Sequence, residues 1–127
     1  MELGTKLYIL DDEGQKFMGA GVLWLLEGIK ETGSLLAASG KMGLSYSKAR
    51  GMLEHLERAT GHEMVERRKG GADRKGVRLT SYAERYILLF KQFQEDAKND
   101  TERRFRAFLD SLYTLEADYG QQDNTTV

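Results

Sequence analysis

The chain has no cysteine and no proline, only two histidines, and no apolar run longer than the five residues Val22 to Leu26. Without cysteine there are no disulfides and no thiolate metal sites. Without proline no helix is interrupted by a missing N–H donor. The histidines, His55 and His62, have no Asp/Glu/His cluster at ligand spacing, so neither a metal nor a cofactor is expected. A span of about 20 apolar residues is what a membrane helix needs, and none is present. The opening MELGTKLYILDDEGQKFMG lacks a basic segment followed by an apolar core and does not read as a signal peptide, so a cytoplasmic location is expected. No nucleophile stands out beside a base, and most serines and threonines are accounted for as helix caps. No catalytic residue is assigned, and the expectation is a non-enzyme.

What is present is a polarised charge pattern on 127 residues, a length that suits one domain with an added helix or tail. The net charge is −1, which argues against indiscriminate nucleic-acid binding, yet its distribution is uneven. Residues 1–40 and 86–127 each carry a surplus of three acidic groups, whereas residues 41–85 hold eleven basic against six acidic residues. A local basic footprint matters more for DNA than the global sum.

Leu3 to Leu10 is rich in β-formers, Asp11-Asp12-Glu13-Gly14 is a turn signal, and Gln15 to Met18 returns as a second short strand. The acidic turn lacks the spaced oxygens of a calcium loop and reads as solvated. Gly19 to Thr32 is an amphipathic helix with Val22, Leu25, Leu26 and Ile29 on one face, Trp24 at its flank and Gly33 as its stop. Ser34 caps a helix from Leu35 to Met42 that Gly43 ends, and Ser45 caps a third from Tyr46 to Thr60 that Gly61 ends. Ala49, Met52, Leu53 and Leu56 form its core stripe. Met64 to Arg67 and Val77 to Thr80 read as strands around a Gly-rich basic loop.

Thr80 or Ser81 then caps a final helix over 81–117; with Ser81 as cap, Glu84 completes a capping box. Apolar residues continue along it at three- and four-residue spacing, including Tyr82, Tyr86, Leu89, Phe93, Phe105, Phe108 and Leu112. At ~1.5 Å per residue it is about 55 Å long, more than a domain this small can cover, so the seam asks for a second copy. The alternative is a break at Asn99-Asp100-Thr101, with the second half folding back. Residues 118–127 read as a disordered polar tail.

A helix-turn-helix followed by a basic wing puts one helix in the DNA major groove and one loop on the neighbouring backbone. The outward positions of the third helix are Ser45, Tyr46, Ser47, Lys48 and Arg50, with Gly51 beside them; the hydroxyls and cations suit base edges and phosphates. Lys48 sits where the helix dipole disfavours a cation, a penalty that a phosphate or guanine offsets. Ser34, at the entry of the second helix, is a cap and also a phosphate contact. The wing contributes Arg67, Arg68, Lys69, Arg74 and Lys75 to sequence-independent, salt-sensitive affinity. It is no phosphate-binding P-loop, lacking the Gly-Lys-Ser/Thr ending.

Laid out in this way, ETGSLLAASGKMGLSYSKARGMLEHLE and MVERRKGGADRKGVRLT resemble the N-terminal winged-helix domain of ModE-type molybdate-responsive regulators, a relative of the LysR-type DNA-binding domain. The resemblance covers residues 3–95. It implies a homodimeric, sequence-specific transcription factor with Ser45, Tyr46, Ser47, Lys48 and Arg50 at the major groove. The family often has an aromatic where Arg50 stands, so operator preference is expected to differ. A chain ending at 127 leaves no room for the family's oxyanion-binding β-domain, and molybdate is not expected as a ligand.

The expected fold is mainly α with small β: a winged helix-turn-helix with an N-terminal β-ribbon over residues 1–80, and a long C-terminal helix. Dimerisation is expected through the N-terminal ribbon, the long C-terminal helix, or both, with Tyr86, Leu89, Phe93, Phe105, Phe108 and Leu112 as the dimer residues of the helix; the expected partners are double-stranded DNA and a second copy. The rival reading is a winged-helix protein–protein module that does not touch DNA.

Overall fold

Two short antiparallel strands, β1 (Tyr8–Leu10) and β2 (Lys16–Gly19), come first, with Ile9 opposite Met18 and an irregularity between Ile9 and Leu10. The computed structural model describes residues 1–67 and 76–125. β1 is shorter than the run Leu3 to Leu10 suggested. Its partner turns into a helix after Gly19, so residues 3–7 have no strand to pair with. Asp11 closes the turn: its Oδ1 accepts from the backbone N–H of Glu13 at 2.9 Å and of Gln15 at 2.8 Å.

Three helices follow: α1 (Ala20–Thr32), α2 (Leu35–Lys41) and α3 (Tyr46–Thr60). Their ends fall within one residue of the expected ones. Gly33 and Gly61 adopt the left-handed conformation just past α1 and α3, where a side chain would be strained. Ser34 Oγ accepts from Ala37 N at 3.1 Å and Ser45 Oγ from Lys48 N at 3.1 Å, so both are N-caps. α1 and α2 approach closely at Gly28, where an added Cβ would lie 3.1 Å from the Ala38 methyl.

The wing strands β3 (Val65–Arg67) and β4 (Val77–Leu79) pair antiparallel, Val65 opposite Leu79 and Arg67 opposite Val77. α4 (Ser81–Thr125) completes the chain. Its N-cap is Thr80, whose Oγ1 accepts from Ala83 N at 3.1 Å; the Ser81–Glu84 capping box does not form, and Glu84 lies 3.6 Å from Lys30 instead.

The chain divides into two units, Lys6–Lys91 and the segment from Gln92 onward with Met1–Thr5. In the first, Met18, Leu25, Leu26, Ile29, Leu56 and Met64 are fully buried, each stabilising the fold by about 1.5–3 kcal/mol. α4 joins this core through Ala83, Ile87 and Phe90. That stripe lies beside the one read in the sequence as the dimer seam, in which Leu89 is 72% exposed and Tyr86 only partly buried. Spacing alone did not separate the two stripes, because both repeat every three to four residues.

In the second unit the helix has no break at Asn99–Thr101. Thr101 is a helix-interior residue whose Oγ1 donates back to Ala97 O at 2.8 Å, and Asp100 pairs with Arg103 and with Arg104 (3.2 Å). Acid four residues before base is the favourable order on a helix, and it offsets part of the weak propensity of Asn99 and Asp100. Helix also continues to Thr125, through most of the segment 118–127 that composition marked as a disordered tail. With no proline and one glycine there, each added residue still gains a backbone hydrogen bond.

Candidate nucleic-acid interface

The helix-turn-helix is held by hydrogen bonds that its own residues supply. Buried Ser39 donates from Oγ to Leu36 O at 2.8 Å, and its carbonyl accepts from Met42 N at 3.1 Å and Leu44 N at 3.0 Å. This fixes the turn between α2 and α3. Ala49, Leu53 and Leu56 anchor the inner side of α3, leaving Tyr46, Ser47, Lys48 and Arg50 exposed on the other sides. Arg50 Nε donates to Glu54 Oε1 at 2.8 Å. Lys48 makes no ion pair among the described residues. Ser45 is exposed but already engaged as a cap, as is half-buried Ser34.

The wing is tied to the helices at its base. Val77 N donates to Gly33 O at 2.9 Å, at the corner between α1 and α2. Gly76 has φ 81°, and a Cβ there would lie 2.0 Å from Gly33 O. The other strand is held from α3: Glu57 Oε2 accepts from Met64 N at 2.8 Å. Arg78 and Glu66 pair across the strands at 3.0 Å. Arg68, Lys69, Arg74 and Lys75 lie outside the described residues, and Arg67 is described through its backbone alone, at the end of β3.

One contact was not legible in the sequence. His55 Nε2 lies 2.9 Å from Asp11 Oδ2, joining the ribbon turn to the middle of α3 across 44 positions, and Phe17 meets the His55 ring edge-on at 6.3 Å. The hydrogen bond from His55, followed by those from Gln15 and Glu13, holds the Asp11 carboxyl below its ordinary value. The two residues border an open groove of about 600 Å³ that Arg58 also lines. A second aromatic ladder joins the turn after α3 to α4, with His62 stacked on Tyr82 at 3.9 Å and Tyr82 near Tyr86 at 6.2 Å. The Tyr86 hydroxyl is buried without a hydrogen-bond partner among the described residues, and desolvation, then Tyr82, pushes its pKa up to about 12.

No group of three acidic, histidine or cysteine side chains is placed to hold a metal ion among the described residues. No helix among them is long and apolar enough to cross a membrane.

Over 103 residues the chain is 32% identical to the transcriptional regulator ModE of Haemophilus influenzae, matching 79% of this chain and 40% of that protein. The chain therefore spans about two fifths of the length of this relative. No protein-family model matches. Among solved structures, the CbnR DNA-binding domain, crystallised as a DNA complex, superposes with TM-score 0.56 at 21% identity, over 71% of this chain and 98% of that one. The chain carries a winged helix-turn-helix domain, similar in sequence to part of ModE and in fold to the CbnR DNA-binding domain. Full-length CbnR, a LysR family transcriptional regulator, superposes on this domain with TM-score 0.52 at 21% identity, covering 68% of this chain and 28% of that one. ModE and CbnR are both named as transcriptional regulators.

Proposed function

We propose that the protein is a homodimeric, sequence-specific DNA-binding transcriptional regulator. In this reading α3 lies in the major groove, with Tyr46, Ser47, Lys48 and Arg50 at base edges and phosphates. Ser34 and Ser45 present helix N-termini to the backbone, and Arg67, Arg68, Lys69, Arg74 and Lys75 of the wing neutralise phosphates. The observation that carries it is the outer surface of α3: two cations and two hydroxyl side chains exposed in its first turns, on a helix anchored from its opposite side by Ala49, Leu53 and Leu56.

Dimerisation runs through α4. Leu89, Phe93 and Phe108 are 72%, 48% and 58% exposed, and Tyr86, Phe105 and Leu112 are partly so, an apolar series that a second copy would cover. A two-fold dimer sets its two recognition helices about 34 Å apart, one DNA turn, and reads a palindromic site.

Fluorescence anisotropy tests the reading, using duplex from the gene's own upstream region against scrambled duplex over a salt series. Preference for the native fragment with a steep loss of affinity in salt is expected. A folded chain that binds neither duplex at low salt would remove the reading.

A further inference from the structure

We propose that Arg50, Gly51 and Glu54 act together as a guanine-reading unit in the major groove, with Glu54 as the residue that positions Arg50; the inference rests on the DNA-binding reading above. Arg50 Nε donates to Glu54 Oε1 at 2.8 Å. That bond occupies one edge of the guanidinium and leaves the two Nη groups. They form the fork whose spacing matches the O6 and N7 acceptors of guanine.

Helix stability gains little from the pair. Ion pairs four apart favour a helix most when the acid comes first, and here the base does. Both side chains are about half exposed, 54% and 48%, where water screens such a pair. A pair in the less favourable order, on the exposed side of the helix proposed to enter the groove, fits a role toward a ligand. Holding the long arginine in one orientation before binding reduces what must be ordered on contact.

Gly51 adds an independent reason. Glycine is the poorest helix former after proline, yet Gly51 stands in the second turn of α3. Packing does not require it, since a Cβ there would meet nothing within 4 Å. Gly28 of α1 is different, because a Cβ there would press on Ala38; Gly21 and Gly40 are as open as Gly51 but stand in α1 and α2, not in the helix proposed to enter the groove. At helical spacing Gly51 and Glu54 lie opposite Ala49, Leu53 and Leu56. The missing methyl lets the backbone of α3 sit closer to the groove floor, which brings the Arg50 fork within reach of a base edge.

The test is selection from a randomised duplex pool with the full chain. Affinities for the selected duplex, its single-base variants and scrambled duplex are then measured for wild type, E54A, E54Q and G51A, with Tm for each. The wild type is expected to enrich a site in which replacing one guanine costs about tenfold or more. E54A should lose most of that discrimination without losing affinity for scrambled duplex. E54Q keeps an oxygen that accepts from Nε and should retain the discrimination. G51A should raise Tm while weakening the selected duplex about tenfold and leaving scrambled duplex little changed. Undiminished guanine discrimination in E54A, or wild-type affinity for the selected duplex in G51A, overturns the inference while the DNA-binding reading stands. A wild type that enriches no sequence overturns both.

Discussion

Gly76 is the residue at which backbone conformation and packing make the same demand. Its φ of 81° is costly for any side chain, and a Cβ would meet the Gly33 carbonyl at 2.0 Å. G76A is therefore expected to destabilise the first unit by about 2 kcal/mol or more, with the Val77–Gly33 hydrogen bond strained, as read by urea denaturation. Tyr86 makes the opposite case. Its buried hydroxyl has no partner among the described residues, so Y86F removes a desolvated polar group and keeps the ring. A neutral result or a gain of about 1 kcal/mol is expected in the same assay. The pKa of about 12 gives the matching pH dependence. Because the folded value lies above the ordinary 10.0, the contribution of Tyr86 is full below that value and is lost as pH rises toward 12. Y86F should flatten stability over that window.

At the scale of elements, the ribbon and α3 are coupled by Asp11 and His55, and the acid side of the pH profile should report it. The Asp11 pKa is lowered in the fold, so its contribution is full above the ordinary carboxylate value of 3.8 and is lost as pH falls through the lower folded value. D11N should remove that acid limb and loosen β1 and β2, seen as faster amide exchange at Ile9 and Leu10. α3 itself carries a stability cost at Gly51 of roughly 0.5–1 kcal/mol relative to alanine, the size of the thermal gain expected in G51A. The capped helix ends were legible in the sequence because caps are local, whereas the start of β1 and the C-terminal end of α4 were not. Ser34, Ser45 and Thr80 each accept from a backbone N–H three residues on, and Gly33 and Gly61 each sit one residue beyond a helix. The Asp11–His55 contact was not legible, since nothing local relates residues 44 apart. The inward face of α4 was not either: the sequence offers Tyr82, Tyr86 and Leu89 as readily as Ala83, Ile87 and Phe90.

For the whole molecule, the proposed division of labour between α3 and the wing makes separate predictions. K48A/R50A should lower affinity for the preferred duplex while scrambled duplex is affected less, with each lost base contact costing about 1–3 kcal/mol. Neutralising Arg68, Lys69, Arg74 and Lys75 should weaken all duplexes alike and reduce the salt slope by about 0.9 for each phosphate contact removed. Sedimentation equilibrium addresses assembly: L89K or F108K is expected to shift the chain toward monomer and to weaken binding to a palindromic site while sparing a half-site.

The sequence by itself determined the order of elements, the capped helix ends, the concentration of positive charge between residues 41 and 85, and the resemblance to the ModE and LysR domains. These follow from short-range rules, namely which residue caps, which spacing repeats, and which residues lie near in the chain. Only the tertiary structure decided which stripe of α4 enters the core, that Gly33 and Val77 pin the wing to the α1–α2 corner, and that Asp11 reaches His55. Those are contacts between distant parts of the chain. They depend on how buried surfaces fit together, which periodicity alone does not specify.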